Sequence, residues 1–337
     1  MLLAYILKRI GLSILVILGI IALSYIMIYI MPGNPAYAWV GKPKGPKAAE
    51  AIQVAIRELG LDRPFHVQLY DVTMRFFTFN WGVSLRFKQP VATIAIRSLV
   101  ATLELLVIAY ILAIPLGTLA GTYAALYRGC LGDKIVYTVT SVLIASPRFW
   151  LAALAVMLLQ VFNVSVFGRI GVEYQTSINI VTGSYIIDSL ISLRFDAFLD
   201  ALTRALPPAI LASLYPFALI TRIVRLSLSE KLHEEYFRQA LSYGIKGLYV
   251  VRRYALRSVI PVLAQVMGAT IAYSLIDIAT IENVFGRDGV GVTLAKAIPY
   301  NDYPLIIGLL TLVSIAFVIA FTIADIVHKL IDPRVRI

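Results

Sequence analysis

The stretch IGLSILVILGIIALSYIMIYIM, Ile10 to Met31, decides the fold: it runs for 22 residues without a charge. A helix rising 1.5 Å per residue needs about 20 apolar residues to cross a hydrocarbon layer about 30 Å thick. Lys8 and Arg9 precede the run and Pro32-Gly33 stops it. A signal peptide shares the charged start, but its apolar core is only about 7–15 residues and ends at a small-residue cleavage site. This run is longer and lacks that site, so it reads as a retained helix.

Five more runs follow: Ser98 to Tyr127 with Glu104 and Pro115 inside, Ile135 to Phe162 with Arg148 inside, and Ala205 to Thr221, which opens on Pro207-Pro208 as a first helical turn permits. Ser258 to Ile281, broken by Asp277, and Tyr303 to Ala324 complete the set. The expected fold is an all-α integral membrane protein with six transmembrane helices. Its parts are an N-terminal helix over 1–31, an outer loop or cap over 32–97, and a five-helix domain over 98–337.

Composition agrees. Of 337 residues 60% are hydrophobic and 15% charged, against about 45–50% and 25% in soluble domains. Mean hydropathy is +0.84. These values exclude a disordered chain and a collagen-like fibre, and argue strongly against a soluble enzyme. Cys130 is the single cysteine, so no internal disulfide frames the fold. A net charge of +11 suggests nucleic acid, but the cations sit at the ends of apolar runs instead of in one patch.

Six crossings leave both termini on one side. Lys8, Arg9, Lys329, Arg334 and Arg336 mark that side as cytoplasmic in the cell membrane, because short basic segments stay inside. The stretch from Pro32 to Arg97 carries nine Lys and Arg yet faces out; above about 60 residues loop charge no longer decides orientation. It holds an amphipathic segment, Ala48 to Leu59, and aromatics (Phe65, Tyr70, Phe76, Phe77, Phe79, Trp81) that suit either a membrane-interface surface or a packed cap.

Inside, residues 222–260 form the one cytoplasmic segment large enough to dock a protein. Leu228, Leu232, Tyr236, Ala240 and Leu241 share a helical spacing, and Gly244 and Gly247 interrupt it. Leu248, Val251, Ala255 and Val259 then line one face, with Arg252, Arg253 and Arg257 opposite. A helix–turn–helix tethered to the bilayer at both ends is a poor DNA reader. No phosphate-binding loop, metal spacing or Ser/His/Asp set accompanies it, and His66, His233 and His328 are scattered. The chain reads as a membrane conduit powered from elsewhere.

Glu104, Arg148 and Asp277 are the charges inside the runs, and each costs at least about 2.5–3.5 kcal/mol near mid-bilayer. They are either structural or pathway-lining groups, or the relay of an ion-coupled secondary transporter. Glu104, about two turns from its expected helix start, would reach interfacial water.

YILKRIGLSILVILGIIALSYIMIYIMPGNPA, LGLDRPFHVQ, EEYFRQALSYGIKGLYVVRRYALRSVIPVL, IENVFGRDGVGVTLAKAI, NDYPLIIG and IDPRVRI, in that order, resemble the DppB/OppB-type permeases of ATP-binding-cassette importers. The first is similar to that family's opening, with Asn34 where Asp is usual, and the second to its external segment. The third resembles the family's EAA loop. The last three follow in the family's order, with Asp288 replacing a proline. The resemblance implies a type I importer bundle and assigns Glu235, Gln239, Ala240, Gly244, Arg253 and Pro261 to an ATPase-coupling loop. It further implies a homologous second permease, two cytoplasmic ATPase subunits that carry the ATP and Mg, and an external binding protein. The cargo it implies is a peptide, an oligosaccharide or a nickel chelate. No cofactor, metal or catalytic residue is expected in this chain, and no nucleic-acid partner.

Overall fold

The computed structural model describes residues 2–30, 35–40 and 48–331. The Pro32-Gly33-Asn34 segment, Gly41 to Lys47 and the terminal DPRVRI lie outside the described residues. The described residues are mostly helical, with one isolated β-bridge between Val83 and Pro90. They fall into two compact units.

The first unit combines residues up to Ala101 with Asp288–Val318. It opens with α1 (Leu2–Ile30), α2 (Pro35–Trp39), α3 (Ala48–Leu59) and α4 (Phe65–Phe77), followed by the start of α5 (Val91–Leu126). Helix α3 has the bounds expected of the amphipathic segment. Tyr25 of α1 donates its hydroxyl hydrogen bond to Gln68 of α4. The aromatic stretch divides between its two readings: Trp81 stacks on Phe76 at 4.8 Å, whereas Tyr70, Phe77 and Phe79 stay exposed. Val91, Ala95, Leu305 and Leu309 are fully buried in a core that Trp81 and Phe87 cover.

The second unit spans Thr102–Arg287 with residues from Ile319 onward. After the rest of α5 come α6 (Leu131–Ala145), α7 (Arg148–Val161), α8 (Val172–Gln175) and α9 (Tyr185–Ile191). The 38-residue α10 (Phe195–Leu232), the short α11 (Glu235–Ser242) and α12 (Gly247–Val250) follow. A π turn over Val251–Ala255 joins α12 to α13 (Leu256–Phe285). Helix α14 (Val290–Ala297) belongs to the first unit, and α15 (Tyr303–Ile331) contributes to both.

Among the described residues four helices are long and apolar enough to cross a membrane: Val91–Leu126, Phe195–Leu232, Gly247–Phe285 and Tyr303–Ile326. The third expected run is not one straight helix. It breaks at Ser146-Pro147 into α6 and α7, bent by 101°, and supplies a fifth crossing if the pair counts as one. Proline disfavours the helical region for the residue before it, and Ser146 is extended at φ −74°, ψ 130°. The first expected run falls on α1, whose described apolar stretch is Ile10–Ile26.

The fourth run also differs from expectation. Its helix begins at Phe195, twelve residues before Pro207, so Pro207 and Pro208 lie inside the helix, as does Pro216. Charged residues hid this start. Asp200 and Arg204 pair one turn apart at 2.9 Å, and Arg204 also donates to the Phe167 carbonyl at 2.8 Å. Such a pair supports the turn it spans.

Helices α5 and α10 approach closely where GTLAG, Gly117 to Gly121, faces α10. A Cβ at Gly121 would sit 2.6 Å from the Thr221 carbonyl oxygen and 2.7 Å from Val224 Cβ. Small residues four apart let helix backbones touch in lipid, where dispersion between close surfaces drives association. Gly121→Val is therefore expected to destabilise the second unit by about 1–3 kcal/mol, the usual cost of overpacking, read as an earlier thermal midpoint in detergent.

Candidate functional site

Three buried ion pairs and one exposed connection organise the second unit. The most deeply buried pair centres on Glu104, three to four turns into α5 because that helix starts at Val91. Glu104 does not reach interfacial water: its side chain is 7% exposed. It accepts from Arg287 Nη2, from Arg169 Nη2 at 3.2 Å and from Ser184 Oγ at 2.5 Å. Arg169 also donates to the Gly183 carbonyl at 2.7 Å and lies 4.8 Å over the Tyr185 ring. Beside them Thr102 donates to the buried Glu282 at 2.6 Å. Two guanidiniums thus face two carboxylates. Burial pushes Arg287 below the usual arginine range, and Glu104 opposes that shift.

The other two expected intramembrane charges are partners. Arg148 Nε lies 3.3 Å from Asp277 Oδ2, and Arg148 Nη1 donates to the Leu143 carbonyl at 2.8 Å. Arg148 is the first residue of α7, just past the break, where it bonds a carbonyl that α6 leaves free. That accounts for a cation at this depth. A third pair closes the short connection before α6: Arg225 of α10 meets Asp133 at 2.5 Å, and Asp133 also accepts from the Gly129 N–H at 2.9 Å. Arg225 and Arg222, read from sequence as loop charges, belong to α10.

Much of the expected 222–260 loop is also absorbed by long helices. Leu228 and Leu232 continue α10, and Leu248 to Val259 run through α12 and the π turn into α13. Only residues 233–246 connect the two, and they contain α11. Its end is set by Gly244 at φ +77°. Gly244 N–H donates to the Leu241 carbonyl at 2.9 Å and Ile245 N–H to the Ala240 carbonyl at 3.2 Å. This is a Schellman stop, which places a glycine in the left-handed region. Gly247 has no such role and starts α12.

Helix α11 is two-sided. Phe237 is buried, and Ala240 is half-buried against the Val224, Leu228, Val250 and Val251 cluster. Glu235, Gln239, Leu241 and Tyr243 are exposed, as are Ile245 and Leu248 beyond it. Tyr243 and Leu248 are 84% and 72% exposed. A short helix is therefore clamped on one face and presents an apolar and polar face outward.

Residues 113–337 match the family described as "Binding-protein-dependent transport system inner membrane component", and residues 2–106 match its N-terminal counterpart, the "Binding-prot-dependent transport system membrane comp, N-term". The chain belongs to this family. It is a DppB/OppB-type importer permease. The chain is 34% identical to the di/tripeptide transport system permease protein DppB of Pseudomonas aeruginosa, over 99% of both chains. It is 31% identical to the dipeptide transport system permease protein DppB of Alkalihalophilus pseudofirmus, again over 99% of both. With the probable D,D-dipeptide transport system permease protein DdpB of Escherichia coli the identity is 30%, over 96% of this chain and 94% of the relative.

In this permease the residues assigned to coupling do not form one patch. Glu235, Gln239 and Ala240 lie on α11 and Gly244 ends it. Arg253 lies in the π turn, exposed, and Pro261 is half-buried within α13. The partners of Glu104 escaped sequence reasoning because Arg169 and Arg287 lie outside the apolar runs. The close approach at Gly117 and Gly121 escaped too, although the GxxxG spacing in an apolar run is a readable signal.

Proposed function

We propose that this permease is one half of the translocation path of a peptide importer, paired with a homologous permease and driven by two cytoplasmic ATPase subunits. The chain crosses the membrane six times with both termini inside. An external binding protein delivers the cargo, and peptides are favoured over oligosaccharides or nickel chelates because the relatives quoted are named as peptide permeases. ATP and Mg reside on the ATPase partners.

One observation carries the coupling role: α11, clamped by Phe237 and Ala240 and stopped at Gly244, offers Gln239, Tyr243 and Leu248 as an outward surface between two spanning helices. A docked ATPase moving this helix as a rigid body tilts α10 and α13 with it and alternates access. Glu104 and Asp277 each hold an arginine, which favours a structural role over a proton relay.

The test is reconstitution of the whole complex in liposomes, with the binding protein loaded in turn with dipeptides, oligosaccharides and nickel chelates. Stimulation of ATP hydrolysis by dipeptides is expected. Stimulation by sugars or chelates alone overturns the cargo, and proton-driven accumulation by this chain by itself overturns the mechanism.

A further inference from the structure

A groove of about 620 Å³ opens on the second unit between α5, α10 and α13. Its walls are apolar, with Ile114, Val224 and Ile260 among them, and Arg252, Arg253 and Arg257 line it as well. No Asp or Glu lines it. These arginines are exposed along the groove and differ from the carboxylate-paired arginines of the unit. Arg148, Arg169, Arg204, Arg225 and Arg287 each meet a carboxylate, whereas among the described residues none of these three makes an ion pair or a side-chain hydrogen bond.

Their convergence has a backbone cause. In an unbroken α-helix five residues turn the chain by about 500°, leaving Arg252 about 140° from Arg257. The π turn over Val251–Ala255 closes its bonds five residues apart, which brings such positions nearly into line. The π turn narrows the arc the three arginines already share, and all three line one groove. π turns cluster at functional sites because an inserted residue weakens the helix and needs a compensating gain.

We infer that this groove holds an anionic phospholipid, with its phosphate among Arg252, Arg253 and Arg257 and an acyl chain along the wall formed by Ile114, Val224 and Ile260. Charge complementarity selects the occupant. A helix of another subunit would fill the apolar part but leave three desolvated cations unanswered, and zwitterionic lipid brings its own cation. Basic pockets between spanning helices beside the anionic leaflet capture such headgroups. The inference rests on the membrane reading above and not on the cargo or the power source.

Native mass spectrometry of the detergent-purified complex, offered phosphatidylglycerol or phosphatidylcholine with matched acyl chains, tests it. The wild type is expected to retain phosphatidylglycerol at least about tenfold over phosphatidylcholine, a difference of about 1.4 kcal/mol. The R252Q/R253Q/R257Q variant is expected to lose that preference and R252K/R253K/R257K to keep it. Ile260→Trp, at an exposed wall position, is expected to lower retention of both lipids. Equal retention of the two lipids by the wild type overturns the inference. So does an unchanged preference in the glutamine variant with loss of the copurifying ATPase, which would assign the arginines to docking. A complex that binds these lipids as expected but ignores peptides fails the cargo reading alone.

Discussion

Gly244→Val is expected to leave the permease inserted and assembled while cutting substrate-stimulated ATP hydrolysis by about tenfold or more. Gly244 sits at φ +77°, and a Cβ built there meets nothing within 4 Å, so the penalty is backbone strain and not a clash. A β-branched residue in the left-handed region costs about 1–3 kcal/mol. The chain relieves that strain by unwinding the Schellman stop, which frees the Leu241 and Ala240 carbonyls and swings Tyr243 and Ile245 out of register. Each 1.4 kcal/mol is a factor of ten in a docking equilibrium. Asparagine tolerates this region, so Gly244→Asn is expected to retain most of the coupling. Ala240→Phe is expected to act like Gly244→Val by lifting α11 off its cluster. Normal stimulation in the valine variant would show that the turn does not position the docking surface.

Arg287→Met is expected to be among the most destabilising single changes in the second unit. Its guanidinium is fully buried and bonded to Glu104, and removing one member of a buried pair costs about 3–5 kcal/mol because the other charge is left in a dry site. Glu104→Leu is expected to cost a similar amount. The double variant removes one charge of each sign and leaves neither member of that pair alone, so it is expected to lose less than the sum of the two. By contrast, Arg63→Ala breaks a pair with Asp71 at 2.8 Å in which the side chains are 55% and 33% exposed, and its midpoint is expected to stay near the wild type. Thermal unfolding in detergent, followed by retention in a single size-exclusion peak, reads all four. Equal midpoints for Arg287→Met and Arg63→Ala would refute a stabilising role for the cluster.

The apolar runs made most of the helices legible, since lipid forces backbone groups to bond within each crossing and length then counts residues. What escaped had local causes. Ser146-Pro147 looked like the middle of one run because hydropathy does not register the dihedral restriction before proline. The start of α10 was hidden by Asp200 and Arg204, charges that satisfy each other and the 163–171 loop, and by Asp196, which pairs with Arg194. The connecting helix was readable at Gly244, where one residue type answers one backbone need, but unreadable in extent. Leu228 and Leu248 fit the same spacing whether they belong to a hairpin or to flanking helices. Pairing was the least legible of all. Glu104 and Arg287 are 183 positions apart, and nothing in a linear chain marks them as partners.

Helix α10 has a mechanical consequence. Its 38 residues make a rod about 57 Å long, almost twice the thickness of the hydrocarbon layer it traverses. Pro207, Pro208 and Pro216 leave the carbonyls of Thr203, Arg204 and Ala212 without their helical donors, so the shaft is stiff toward both tips and compliant in its middle third. A deflection of about 5° at that soft zone carries either tip through roughly 2 to 3 Å over a half-length of about 28 Å. A single sequence element can thereby work as a jointed lever, with its fulcrum written in three imino acids.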